Sequence, residues 1–193
     1  MKQSLFLIFI SAFFISSCKN KKTTNKEENA GFFPVLSFIK SQVAQVDTSV
    51  FRIIKVVQKN NATDTIYLKR EEFREAAKDF LSIPDISSDE LKEDYTETRL
   101  YDADLQQVIL NYMPKKNDKE ITRLDVMIKP DPNGDKVNSI FINRINNIKD
   151  TTIHKILFWQ VDKRFKIVTI SQAPNAPEKN ETIEVIWNDY PSQ

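Results

Sequence analysis

The residues able to do chemistry are few, and their spacing limits what they can do. One cysteine, Cys18, and one histidine, His154, occur in the 193 residues. A multi-histidine or cysteine-based zinc site is therefore impossible, because structural and catalytic zinc need three or four such ligands. Gly31 and Gly134 are the only glycines, which removes a phosphate-cradling loop, a dinucleotide fingerprint and a G-x-S-x-G elbow. A Ser-His-Asp arrangement would have to recruit His154 from inside a strand pattern. Asp131-Pro132-Asn133-Gly134-Asp135 spaces oxygens as a calcium loop does. Counted from Asp131, however, the sixth and twelfth places hold Lys136 and Ile142 instead of Gly and Glu, and Asn133-Gly134 reads as a hairpin turn. Among 27 acids, Asp102 with Asp104, Glu71 with Glu75 and Glu181 with Glu184 lie close enough in sequence to be considered as acid–base pairs. A glycosidase would need two of them facing across a cleft. No cofactor or metal is implied by any of these patterns.

Cys18 has the most informative surroundings. Lys2 precedes an apolar run from Leu5 to Ile15, which has the length of a signal h-region and falls short of the roughly 20 residues a spanning helix needs. The run ends in Ile15-Ser16-Ser17-Cys18. This resembles the bacterial lipobox, an aliphatic residue and two small ones before a cysteine. The resemblance implies a cleaved signal peptide over 1–17, diacylglycerol on the Cys18 sulfur and acylation of the new amino terminus. Two or more chains at about 0.8 kcal/mol per buried CH₂ hold a bilayer firmly. The alternative is an ordinary secretory signal ending near a free thiol. Residues 18–31 then read as lipidated cysteine plus linker, with Lys19 to Gly31 polar, charged and aperiodic, reaching at most about 45 Å when extended. Some Bacteroidota surface lipoproteins carry an acidic tract after the cysteine; here Lys19-Asn20-Lys21-Lys22 stands there. Nor is Lys19 the aspartate that marks inner-membrane retention in enteric bacteria. The expected address is the bacterial cell envelope, at the outer membrane and facing the periplasm.

Beyond the linker, 32–193 is long enough for one domain with a substantial core. Without Lys2 the formal charges cancel, and no basic block points to nucleic acid. With Cys18 the only cysteine, no disulfide can staple the domain, so its stability must come from packing.

The elements follow from periodicity. Val35, Leu36, Ile39, Val43 and Val46 recur at helical spacing after Pro34, as do Phe73, Ala76, Ala77, Phe80 and Leu81 within a second helix over 70–81. Between them, β-branched runs around Asn60-Asn61 form a hairpin. From about Asp94 onward the chain reads as an antiparallel meander. Thr122, Leu124, Val126 and Ile128 alternate with Arg123, Asp125, Met127 and Lys129 in its clearest half-buried strand. The predicted fold is α+β: a curved, mostly antiparallel sheet of about nine strands with both helices on one face. A half-barrel resembling envelope lipoprotein carriers is the alternative.

Ile156 to Trp159 and Phe165 to Ile170 are apolar on both faces, and such strands are normally covered on both sides. Trp159, Phe165, Ile167 and Trp187 are therefore the candidate binding surface. The expectation is a non-enzymatic, lipid-anchored envelope protein that binds a partner protein or an apolar ligand on its sheet. The alternatives are a carboxylate-dependent glycan or cell-wall hydrolase and a structural spacer. Replacing Cys18 by Ala should abolish both incorporation of labelled palmitate and sedimentation with membranes. A Cys18→Ala chain that keeps both would remove the lipid anchor.

Overall fold

The computed structural model describes residues 31–60 and 62–188; the expected signal peptide, Cys18 and the expected linker up to Ala30 lie outside them. In chain order the elements are α1 (Val35–Thr48), β1 (Ile53–Lys59), β2 (Ala62–Leu68), α2 (Arg70–Ala76), α3 (Lys78–Leu81), a 3-10 turn (Lys92–Asp94), β3 (Tyr95–Asp102), β4 (Gln107–Pro114), β5 (Ile121–Lys129), β6 (Lys136–Ile148), β7 (Thr151–Gln160), β8 (Arg164–Gln172) and β9 (Lys179–Ile186). The nine strands form one sheet in the order β2-β1-β9-β8-β7-β6-β5-β4-β3. Every pairing is antiparallel. The predicted meander is thus present, and β9 returns to dock against the early hairpin. Edges β2 and β3 stand at opposite ends of the order, so the sheet is open and does not close into a barrel.

The helices cover one face. Val35, Ile39, Val43 and Val46 of α1 are buried, as the helical spacing requires. The helix expected over 70–81 is broken at Ala77, whose φ and ψ are −88° and 4°. No glycine or proline marks the break. Tertiary bonds hold the second segment instead: Arg144 Nη1 donates to the Asp79 carbonyl at 3.2 Å and to Ser82 Oγ at 3.0 Å, and Lys155 Nζ donates to Asp79 Oδ1 at 2.5 Å. Phe73, Ala77 and Phe80 still form one fully buried stripe. The helices are also tied to each other, because Arg70 Nη1 donates to the last-turn carbonyl of Val46 at 3.1 Å and Arg74 pairs with Asp47 at 2.7 Å. Cations at a helix C-terminus satisfy carbonyls that have no partner within the helix.

One strand departs from the alternation read in the sequence. A register shift lies between Ile121 and Arg123 on β5. Ile121, not Thr122, is buried beside Leu124 and Val126, because a bulge adds one residue and moves the side chain before it to the other face.

At the far end of the sheet, the Phe33 N–H donates to Tyr112 Oη at 3.0 Å, and the Tyr95 hydroxyl donates to the Ile121 carbonyl at 3.3 Å. Burial raises both phenols, Tyr95 to about 12 and Tyr112 further. Each ionises near 10 in the unfolded chain. A raised folded value means that stability is complete below pH 10 and is lost as pH climbs through 10 towards the folded values. Thermal melts should therefore show Tm falling between about pH 9 and pH 11, and a Tyr95→Phe/Tyr112→Phe chain should show a flatter decline. An unchanged slope would exclude these phenols as the cause.

Candidate functional site

The four residues expected to form a binding surface are in the core. Trp159 and Phe165 are fully buried, and Ile167 and Trp187 are 2% and 3% exposed. Trp159 and Phe165 stack at 5.3 Å with 19° between their planes. Phe80 meets Trp159 edge-on at 5.1 Å, and Phe73 meets Trp187 at 5.2 Å. Their side chains face the helices, so the expected surface is corrected to an aromatic core. The two-sided apolar pattern of β7 and β8 belongs to two faces, since adjacent residues of a strand point to opposite sides, and Trp159, Phe165 and Ile167 lie on the helix side.

The other face of the same strands has no helix over it among the described residues. There Phe158 lies opposite Phe141, Ile156 opposite Val168, and His154 opposite Ile170. All six are only half-buried. Lys166 of β8 lies opposite Phe158 within this group, and further charge borders it on both sides. Towards β9, Arg164 donates to Gln160 at 3.0 Å and to Glu184 at 3.2 Å. Towards β5, Asp125 stands opposite Phe141 and is 2% exposed. It accepts from Arg123 at 2.6 Å and 2.8 Å and from Asn111 Nδ2 at 2.5 Å. The Arg123 guanidinium also lies 5.7 Å from the centre of the Phe141 ring, and its bond to Asp125 holds it charged. A buried carboxylate on an uncovered face is stable only with such partners.

The carboxylate pairs separate into three situations. Asp102 caps its own turn, accepting from the backbone N–H groups of Asp104 and Leu105 at 3.0 Å. Glu181 and Glu184 fall on opposite faces of β9, bound to Lys59 at 3.4 Å and Arg164 at 3.2 Å. Glu71 and Glu75 do share a cleft, of about 450 Å³, with Glu72, Asp79, Lys55 and Lys78 over a floor that includes Ile167 and Ile183. Three of its four acids are engaged. Glu72 caps α2 through the Lys69 N–H at 2.8 Å; Glu75 pairs with Lys78 and Asp79 with Lys155, each at 2.5 Å.

The remaining motifs are structural. Asp131 accepts the Asn133 N–H and pairs with Lys136 at 2.7 Å, while Gly134 takes φ 117°, so the calcium-like stretch is a turn. No cluster of metal-ligating side chains occurs among the described residues. His154 makes no side-chain hydrogen bond among them. No protein-family model matches the chain, and neither curated proteins nor solved structures yield a match.

Removal of the Arg123 side chain should leave the Asp125 charge buried with Asn111 alone. Arg123→Ala is expected to cost about 2 kcal/mol, below the fully buried range because Arg123 itself is half-exposed. Asp125→Asn in the same chain should recover part of that in a urea titration. Equal midpoints for the single and double variants would contradict this.

Proposed function

We propose that this chain is a non-enzymatic lipoprotein of the bacterial cell envelope, anchored through Cys18 at the outer membrane on its periplasmic side, which docks a partner protein on the helix-free face of its sheet. The observation that carries the docking reading is the group Phe141, Ile156, Phe158, Val168 and Ile170, half-buried with no helix over it among the described residues. An antiparallel sheet that faces only water normally alternates apolar-in with polar-out. Apolar side chains at those positions gain free energy on being covered, at about 25 cal/mol per Å². A small apolar ligand would call for an enclosing pocket. A group spread over three strands, about 10 Å between the outer two, and bordered by Arg123, Asp125, Arg164 and Glu184 suits a protein surface with an apolar centre and a polar rim.

The second reading, a carboxylate-dependent glycan or cell-wall hydrolase, draws on the cleft beside α2. Glu71 there has no side-chain partner among the described residues, and Glu75 and Asp79 line the same space. Release of soluble fragments from cell-wall glycan, lost on Glu71→Gln, would establish it over the docking reading.

A photo-crosslinking residue at Phe158, introduced in cells, should give a discrete adduct. The same residue at Lys40, on the helix side, should give none. An adduct formed from Met127, on the same face as Phe158, should disappear when Phe158→Glu is added. Equal adducts from Phe158 and Lys40 would end the docking reading.

A further inference from the structure

Strand β3 is an edge whose charges, Glu97 and Arg99, pair with each other at 2.6 Å and which has none of the other common protections. Sheet edges are commonly blunted by lysine, proline or a bulge. Tyr95–Asp102 holds neither residue type, and its register with β4 runs unbroken from Tyr95↔Pro114 to Asp102↔Gln107. Tyr95 is buried at its start, but towards its end Leu100 is 55% and Tyr101 64% exposed. Two threonines and two tyrosines in eight residues give it a composition that favours strand pairing.

We propose that β3 pairs antiparallel with β3 of a second copy of this chain, in the register centred on Thr98. The choice of partner rests on self-complementarity. Centred there, Glu97 faces Arg99 of the other copy and Arg99 faces its Glu97, Tyr95 faces Tyr101, Thr96 faces Leu100, and Thr98 faces itself. Opposite charges and paired threonines directly across a ladder are favourable, and like charges are not. Centring on Glu97 or Arg99 would set two carboxylates or two guanidinium groups face to face. The opposite edge has no such match: β2 centred on Thr65 places Asp64 against Ile66, and centred on Asp64 it opposes two carboxylates.

The symmetry has a structural consequence. Residues directly opposed in an antiparallel ladder share a face, so this register sets the two-fold axis perpendicular to the sheet. The helices of both copies then lie on one side and both helix-free faces on the other. The pairing doubles the docking face; that consequence rests on the function proposed above, whereas the pairing itself does not.

Thr98 at the two-fold axis supplies the test. Opposed residues have Cα atoms about 4.5 or 5.5 Å apart, within the range a disulfide spans. The full-length chain in its own membranes, carrying Thr98→Cys, should give a covalent dimer on mild oxidation. The wild type, with Cys18 alone, and Thr65→Cys on β2 should not. Adding Arg99→Glu, which opposes two carboxylates across the axis, should lower the Thr98→Cys yield at least tenfold. No dimer from Thr98→Cys, or equal yields from Thr98→Cys and Thr65→Cys, overturns the pairing. An Arg99→Glu yield unchanged overturns the register. Because Thr98 is an exposed edge position, misfolding can be checked separately by sedimentation of the wild type in detergent, where a rise from one-chain to two-chain mass with concentration is expected and a constant one-chain mass counts against it. A missing adduct at Phe158 beside a Thr98→Cys dimer would remove the docking reading and leave the pairing.

Discussion

The contact of Phe73 and Phe80 with Trp159, Phe165 and Trp187 decides which side of the sheet is inside. These rings come from the helical segment and from three separate strands or their ends, and their centroids lie between 5.1 and 6.5 Å apart. Aromatic pairs in tilted and edge-on arrangements add to the area they bury. A chain with one cysteine has no covalent substitute for such a core. The arrangement has one uncompensated cost, since Trp159 Nε1 is buried with no hydrogen-bond partner among the described residues. An unmet donor is tolerable where the surrounding ring contacts outweigh it, typically by more than the 1–3 kcal/mol that a lone group loses on desolvation, a range taken as roughly general.

Once the aromatic rings occupy one face, the other face inherits what is left of each strand. On β7 and β8 what is left includes Ile156, Phe158, Val168 and Ile170, beside His154, Lys166 and Arg164. The ion pair of Arg123 with Asp125 and the Arg164–Glu184 pair then delimit the apolar group between them. Asp125 stands directly across the ladder from Phe141, so the same row carries a buried charge and a half-exposed ring. This mixed surface differs from a solvated outer face, where polar side chains would occupy every second position.

Strand number, antiparallel order and the two helical stripes were legible in the sequence because turn clusters and periodicity are local properties. The phase of β7 and β8 was not. In Ile156-Leu157-Phe158-Trp159 both parities are apolar, so alternation carries no information, and only the distant Phe73 and Phe80 settle that Leu157 and Trp159 turn inward. The break at Ala77 was hidden for a related reason: Arg144 and Lys155, more than sixty residues away, impose it through Asp79 and Ser82. The bulge at Ile121 was at least hinted at, since Ile121 and Leu124 stand three apart, a spacing that regular alternation cannot bury twice. Of the candidate site, the presence of a second apolar face was readable, but its residues were not.

The same ambiguity bears on how the register is kept. A one-residue slip moves every side chain of a strand to the other face, and burial penalises it strongly only when one face is polar. For β7 and β8 that penalty is weakened, so part of the specification must lie elsewhere. The turns supply it. Lys149, Asp162 and Asn175, in the loops flanking these two strands, all have φ between 53° and 60°. Asp and Asn tolerate that conformation, whereas Lys149 adopts it at a steric cost. A slipped register would have to move the left-handed residue to a neighbour, such as Ile148 or Val161, whose bulk or β-branching makes positive φ more costly still. Fixed turn positions on both sides, together with the aromatic core that selects the inward parity, leave one register for strands whose own sequence would accept two.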